Sequence, residues 1–525
     1  MSSKPSQASS QNKNQLYYGD NLDILRKKIP SESVDLCYID PPFNSKRNYF
    51  QIYNNQGADD KAQAQAFEDT WEWGDEAKSG FDYITDVEHL NSGKFTIQTV
   101  ELIKGLDKVL GRGALFAYVV HMTLRIVEIH RVLKPTGSFF LHCDPTASHY
   151  LKLVLDGVFC SEDRGGDFKN EIIWCYNVGG KSKKHFARKH DVIFWYTKSA
   201  EYFFDGTLSG LSRDTGKKSS GGKMGIDEEG RPFQDKLVKA TGKYYRYYLD
   251  SPKIAEDWWT DINSIQSQSS ERLGYPTQKP EALLERILKT CSAEDAVILD
   301  AYCECGTTVA VAQRLKRRWI GIDITYQSIS LILKRFEDAF RENNEDVLEN
   351  IFLDGVPKDM ASAQALAHRN DDKTRKEFEK WAVLTFSKNQ ARINEKKGGD
   401  GGVDGIAFFS RVFDLGKSDL GRVLISVKSD KTVTPNRVDE LVGTMAREGA
   451  DIGYLICLNK PSDGVYKRAF ANGKYKHPNV SREDDKIQII TAEEILDGKR
   501  FDLPMARTDT VKSAKAVSID QAKLL

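Results

Sequence analysis

The sequence predicts an α/β protein: a parallel, doubly wound sheet followed by a second, smaller α/β domain. Three observations predict it. Ser33–Ile39 is a near-continuous apolar run bounded by turn residues, as in a strand buried on both faces. From Pro280 to Phe340 short apolar strands alternate with helical patterns, the signature of parallel strands joined by crossover helices. After a polar stretch near 354–373 the alternation begins again.

Composition bounds the reading without choosing a partner. The 525 residues exceed one ordinary domain. Lys+Arg and Asp+Glu both count 76, so any surface for nucleic acid has to be a local patch. The eight cysteines are scattered, with no paired CxxC, and read as reduced thiols in a cytosolic protein. Met1–Asn14 is polar and lacks the apolar core of a signal peptide. No apolar run reaches about 18 residues, so no membrane span is expected.

Along the chain, residues 1–14 read as a disordered tail. Leu16–Asp20 is a short strand and Asn21–Lys28 a helix. Ser33–Ile39 delivers Asp40-Pro41-Pro42-Phe43 to its carboxyl end, where open α/β sheets bind ligands. Leu115–Leu133 is an amphipathic helix that Lys134-Pro135-Thr136-Gly137 stops. Ser138–Leu141 is the next strand and Ala147–Phe159 a helix. Glu171–Tyr176 and Asp191–Tyr196 are strands flanking a basic loop with Lys181, Lys183, Lys184, Arg188 and Lys189. From about 200 to 270 the alternation is lost. This stretch, with Lys243–Tyr248 (KYYRYY) and Trp258-Trp259, reads as an insertion outside the sheet.

Pro280–Cys291 is a helix, Ala296–Asp300 a strand, Thr307–Leu315 a helix, Trp319–Asp323 a strand and Gln327–Phe340 a helix. The main domain is thus expected over 15–350, with a linker at 351–373. A second domain is expected over 374–505: helix Thr374–Phe386, strands Val403–Phe409 and Val423–Val427, helix Arg437–Glu448, and strands Ile452–Leu458 and Ile487–Thr491. A flexible tail covers 506–525.

Two stretches carry chemistry. Strand Val297–Asp300, a turn of small residues (Cys303 to Thr308) and a helix make a nucleotide-type site: small residues let backbone approach a ligand, and the helix start offers free N–H groups. Asp323, 23 residues on at the next strand end, suits a carboxylate that accepts from ribose hydroxyls. There is no GxGxxG and no Walker GxxxxGK[ST], which disfavours dinucleotides and nucleoside triphosphates. Asp40-Pro41-Pro42-Phe43 can hold a weakly nucleophilic ring amine. Asp40 and the Pro41 carbonyl accept its two N–H groups, two prolines stiffen the turn, and Phe43 gives a stacking face.

Asp40-Pro41-Pro42-Phe43 resembles the catalytic motif of amino-group DNA methyltransferases, the adenine-N6 and cytosine-N4 enzymes. Asp300-Ala301-Tyr302-Cys303-Glu304-Cys305-Gly306-Thr307-Thr308 resembles their cofactor motif DPFxGSGTT, and Thr277-Gln278-Lys279-Pro280 the segment before it. Catalytic motif first, insertion, then cofactor motif is similar to the permuted β group. The resemblance spans roughly 15–340. It implies a Rossmann-like sheet that uses S-adenosylmethionine, a target-recognition region in the insertion, double-stranded DNA with a flipped base as substrate, and a place in the cytoplasm of a prokaryote. It also implies that Asp40, Pro41, Pro42 and Phe43 hold the base. Asp20, Thr277, Lys279, Asp300, Tyr302, Cys303, Gly306, Thr307, Thr308 and Asp323 would surround the cofactor. DPP rather than SPP favours adenine, with cytosine-N4 the alternative.

Glu304 departs from that pattern, standing where the family has its first glycine. It could point away, contact the positive sulfonium or amino group, or spoil binding. The second domain resembles the PD-(D/E)xK nuclease superfamily, in its Mrr-like restriction branch. Asp404 and Lys428, with Glu379 as a third group, would hold a divalent metal such as Mg2+ and position water, Asp400 of the same Gly-rich turn being the alternative acid. Ser426 replaces the usual second acid, and a hydroxyl is the poorer ligand for a hard cation. The sequence therefore leaves three readings: a restriction–modification methyltransferase with a nuclease domain, a catalytically impaired DNA-binding protein, and a methyltransferase acting on RNA or protein.

Overall fold

A computed structural model describes all residues except 1–12, 43–46, 53–62, 70, 178–181, 212–221, 267, 341–343, 369–371, 395–401, 412–418, 479, 505 and 507–525. A nine-stranded sheet organises the first two thirds. Its strands are β1 (Asn14–Tyr18), β2 (Val34–Ile39), β3 (Leu133–Cys143), β4 (Asp167–Cys175), β5 (His190–Thr197), β6 (Trp258–Trp259), β7 (Val297–Asp300), β8 (Arg318–Asp323) and β9 (Ile351–Asp354). The order across the sheet is β6-β4-β5-β3-β2-β7-β8-β1-β9. The helices that matter to the site are α1 (Asn21–Lys28), α2 (Ala114–Val132), α3 (Glu281–Cys291), α4 (Thr307–Arg314) and α5 (Tyr326–Ala339).

β2 lies at the centre for the reason its sequence suggests. Leu36, Cys37 and Ile39 are fully buried and Tyr38 nearly so, which only a strand covered on both faces allows. The polar residue of the run, Asp35, is matched: Lys134 Nζ donates to both its oxygens at 2.8 Å and the Val297 N–H donates at 2.8 Å. β2 pairs in parallel with β3 on one side and β7 on the other. Chain connections leave β2 in one direction and β7 in the other, so a crevice opens between their carboxyl ends, as at any such reversal of strand order.

The structure corrects five expectations. β5 runs antiparallel to both neighbours, β3 and β4, so the sheet is not wholly parallel; β4 and β5 are joined directly, without the crossover helix that a parallel pair needs. Trp258-Trp259, expected outside the sheet, pairs with β4 at its edge. Residues 133–137 do not simply stop a helix; they open β3, because Val34 pairs with Leu133. Asn14, assigned to the tail, begins β1 and is fixed by side-chain bonds to Gln313 (2.7 Å) and the Trp319 N–H (3.0 Å). Residues 351–354, expected in a linker, form β9 alongside β1, and Met360–Ala367 is helical.

The insertion holds a three-stranded antiparallel sheet of Gly222–Ile226, Pro232–Val238 and Lys243–Tyr248. The second domain has helix α6 (Asp372–Ser387) and a five-stranded mixed sheet in the order β10 (Arg392–Ile393), β11 (Gly405–Ser410), β12 (Leu420–Lys428), β13 (Ile452–Cys457), β14 (Ile487–Thr491). It docks on α5: Glu377 of α6 accepts from the Tyr326 N–H at 2.7 Å, and Tyr326 Oη shares a hydrogen bond with Thr385 Oγ1 at 2.8 Å. Among the described residues no helix is long and apolar enough to cross a membrane. All eight cysteines are free thiols.

Candidate active site

Three neighbouring strand ends build the site. Asp40 directly follows β2, β7 ends at Asp300 and β8 at Asp323. The register sets Asp300 beside Gly321, so successive carboxylates line the edge of the sheet.

The turn after β7 is strapped to β8 by backbone. The Cys303 N–H donates to Ile322 O at 3.0 Å, the Glu304 N–H to Asp323 Oδ2 at 2.9 Å, and the Gly306 N–H to Cys303 O at 2.7 Å. Gly306 has φ +74° and caps α4. A Cβ there would lie 2.8 Å from Ile332 Cγ1, so glycine is required both by conformation and by space. Glu304 takes φ +48° without being glycine. Arg335 Nη1 holds the Cys305 carbonyl at 3.1 Å and Thr307 Oγ1 at 3.2 Å, fixing the start of α4.

Asp40 is buried. Lys279 Nζ donates to its Oδ2 in a buried ion pair, while Asp40 Oδ1 has no hydrogen-bond partner among the described residues. Lys279 is thus committed to the Asp40 carboxylate. Burial would push its ammonium down, but Asp40 first, then Glu304 and Asp191, hold it above the usual lysine value. Thr277 Oγ1 donates to Glu304 Oε1 at 2.7 Å.

The carboxylates crowd one another. Burial raises Asp300 to about 7, against hydrogen bonds from Thr308 and the Tyr302 N–H and with added repulsion from Asp40 and Asp323. Burial likewise raises Asp323 to about 6, although Thr325, the Glu304 N–H and Ser328 all bond to it. Glu304, half-buried, is held well above the usual range by burial and by Asp40, while Lys279 and Thr277 oppose the rise. Groups displaced in this way concentrate at functional sites.

A small open cleft remains at the crevice. Asp40, Lys279, Asp300, Glu304, Thr307 and Thr308 line it, together with Tyr302, Cys303 and Cys305. An orphaned buried acceptor, a helix start and a glycine cradle fit a nucleotide-type cofactor beside a hydrogen-bonding substrate. Of the other expected residues, Pro41 is buried and Pro42 half-buried beside Asp40, and Phe43 lies outside the described residues. Asp20 caps α1 through the Asp23 N–H at 3.0 Å and pairs with Arg125 at 2.8 Å.

Two lining residues were missed. Tyr38 and Leu284 both face the cavity. Tyr38 sits two residues before Asp40 on one strand, and period-two alternation could have flagged it. Its hydroxyl bonds His142 Nδ1 at 2.8 Å, and His142 Nε2 bonds Asp191 Oδ2 at 3.0 Å. Leu284 sits one helical turn into α3, and that proximity needed the fold.

In the second domain Ser426 Oγ donates to Gly402 O at 2.6 Å and the Val427 N–H to Asp404 Oδ2 at 2.6 Å. A Cβ on Gly402 would lie 3.3 Å from Lys428 Nζ. Asp404, just before β11, therefore stands beside the Ser426–Lys428 end of β12, while Glu379 lies on α6. Among the described residues no group of three His, Cys, Asp or Glu side chains is placed to hold a metal ion. Asp400 lies outside them.

In the insertion, Tyr244 and Tyr245 of Lys243–Tyr248 are exposed. Arg246 is paired with Asp235 at 3.0 Å. Trp258 is exposed and Trp259 buried.

A doubly wound sheet with an acidic crevice at its strand reversal defines the class: an α/β fold with its ligand-binding position at the carboxyl ends of the strands. Residues 34–334 match the DNA methylase family, and the chain belongs to it. Residues 371–497 match a restriction endonuclease family, so a restriction endonuclease domain follows the methylase domain. The chain is similar to the DNA adenine methyltransferase YhdJ of Escherichia coli (strain K12), 26% identical over 63% of this chain and 85% of that protein. It is similar to the type II methyltransferase M.BglII of Bacillus subtilis, 25% identical over 65% of this chain and 73% of that one. Among solved structures, the cytosine-N4-specific PvuII DNA methyltransferase aligns with 64% of this chain and 92% of its own, at 15% identity and a TM-score of 0.36.

Proposed function

We propose that this chain methylates the exocyclic N6 of an adenine flipped out of double-stranded DNA, with S-adenosylmethionine as methyl donor. The observation that carries this reading is the half-satisfied Asp40: Lys279 holds Oδ2, and the buried Oδ1 has no partner among the described residues. A buried acceptor left open costs stability unless a ligand supplies the missing donor.

The cofactor would rest on the 303–308 turn and the start of α4, with Asp323 toward its ribose. When bound, it supplies a methyl group on a cationic sulfur. The protein's task is to make a poor nucleophile attack. An adenine amine has its lone pair delocalised into the ring. Asp40 Oδ1 accepts one N–H and the Pro41 carbonyl the other, drawing the nitrogen toward tetrahedral geometry. Lys279 fixes the carboxylate so that Oδ1 faces the base. After transfer the surplus proton on nitrogen leaves toward Oδ1. Phe43 is proposed to stack on the ring, a contact worth roughly 1–3 kcal/mol. Extrusion is needed because the duplex stacks and pairs the target nitrogen.

Adenine is preferred over cytosine-N4 on the DPP motif; the same acceptors suit either amine. The exposed tyrosines of 243–248 and the basic residues of 183–189 support a DNA-facing insertion. The restriction endonuclease domain is proposed to engage the same DNA. No cleavage step is assigned, because Asp404 stands beside a hydroxyl and an ammonium instead of a second carboxylate.

Methylation-sensitive sequencing of DNA from cells expressing the chain tests the proposal. Methyl-N6-adenine at one recurring sequence, absent with Asp40→Ala, is the expected result. Methyl-N4-cytosine would replace the adenine reading. No modification would favour a DNA-binding protein without transfer.

A further inference from the structure

We infer that Glu304 selects the cofactor by charge, making the pocket favour cationic S-adenosylmethionine over the neutral thioether S-adenosylhomocysteine that transfer leaves behind. This rests on the cofactor reading above.

The backbone gives the first reason. Glu304 occupies a left-handed conformation, φ +48°, that costs a non-glycine residue free energy and costs glycine almost none. The turn imposes that conformation, since the Glu304 N–H must reach Asp323 Oδ2 while neighbouring amides bond Ile322 and Cys303. A glycine would serve the turn better. The side chain therefore has to be explained by what it contributes to the pocket.

Its contribution is a placed carboxyl. Glu304 lines the cavity with Asp40 and Lys279, and Thr277 Oγ1 fixes Oε1 at 2.7 Å. The charged groups acting on it are Asp40 from β2, Lys279 from the segment before α3, and Asp323 from β8. Tyr38, Tyr275 and Cys305 also feel its charge. Lys279 is already engaged by Asp40, so it does not cancel Glu304 outright. With Asp300 and Asp323 nearby, the pocket carries an excess of carboxyl groups. Burial and Asp40 favour the protonated carboxyl in the free protein, and an arriving cation favours the ionised one.

The two ligands share adenine, ribose and amino-acid groups and differ at sulfur. Only the sulfonium gains from a nearby carboxylate. A chain with glycine at this turn would lack that discrimination. One chemical consequence is weaker inhibition by product.

Titration calorimetry of the full chain with each ligand, for wild type, Glu304→Gln and Glu304→Gly, tests the inference. Glu304→Gln keeps the size and the Thr277 bond and removes the charge. Glu304→Gly relieves the backbone and so guards against misfolding of the first variant. The expected result is a preference for S-adenosylmethionine that falls about tenfold in both variants. That fall should come mainly from weaker S-adenosylmethionine binding, with S-adenosylhomocysteine shifted by no more than about threefold. An unchanged ratio in Glu304→Gln overturns the inference and leaves the cofactor reading intact. So does equal tightening of both ligands in the variants, which would make Glu304 a plug. If neither ligand binds to any folded form of the chain, the cofactor reading fails and the inference fails with it.

Discussion

Lys279 and Asp40 stand 239 residues apart in the chain and form one buried ion pair. The pair occupies one oxygen of Asp40, and the other has no partner among the described residues. It is an asymmetric clamp: one end holds the carboxylate, and the other is presented to the cavity.

That asymmetry separates two substitutions. Asp40→Asn keeps the shape and removes the anionic acceptor; transfer of labelled methyl to DNA should fall by about 100-fold or more, with DNA affinity little changed. Lys279→Met leaves a buried carboxylate without its counter-charge, which costs about 3–5 kcal/mol. Urea unfolding should show that loss directly. A Lys279→Met protein as stable as wild type would remove the clamp from the account.

Asp300 makes stability depend on pH. Its folded-state value is raised to about 7, above that of an unfolded aspartate. The folded chain therefore keeps its proton where the unfolded chain has lost it. This stabilisation is complete below about pH 4 and is lost as pH rises toward 7, on the order of 4 kcal/mol across that window. Asp300→Asn should make the decline between pH 4 and 7 shallower, leaving the parts due to Asp323 and Glu304. Denaturant midpoints across that range check it; parallel curves for the two proteins would refute it.

Gly306 is set by both conformation and space. Gly306→Ala forces a side chain into φ +74° and toward Ile332, and should cost about 1–2 kcal/mol. Gly105 provides the contrast. It lies inside the Ile97–Leu110 helix, and a Cβ added there would meet nothing within 4 Å, so Gly105→Ala should stabilise by about 0.5–1 kcal/mol. Thermal unfolding of the two variants should move in opposite directions.

Glu377 ties the restriction endonuclease domain to the methylase domain. It accepts from the first N–H of α5 and lies 3.5 Å from Tyr18 Oη. α5 begins three residues after Asp323, so this contact sits next to the proposed ribose position. Glu377→Ala should cost about 1–2 kcal/mol of docking. Calorimetry should then resolve two unfolding transitions where the wild type shows closer coupling. An unaltered profile would mean that the apolar contacts alone hold the domains together.

Much of the fold was legible because local rules sufficed. The apolar run at β2 can only be a strand covered on both faces, and the strand–turn–helix pattern from 297 to 314 leaves little choice of geometry. β5 was legible as a strand but not in its direction, since orientation depends on which neighbour it meets. β6 is two residues long, and its pairing with β4 is decided by packing of the buried Trp259. β9 was hidden because a four-residue edge strand has too few residues for its pattern to rise above a polar linker.

The site divides in the same way. By itself the sequence determined which carboxylates stand at the carboxyl ends of β2, β7 and β8, that a turn of small residues follows β7 at 303–308, and that Glu304 breaks the glycine pattern. Only the tertiary structure decided that Lys279 serves Asp40 as partner, that Thr277 holds Glu304, and that Tyr38 and Leu284 complete the wall. The reason is physical. Periodicity and turn chemistry act over a few residues and can be read along the chain, whereas ion pairs and cavities form between strand ends that meet only when the whole sheet has assembled.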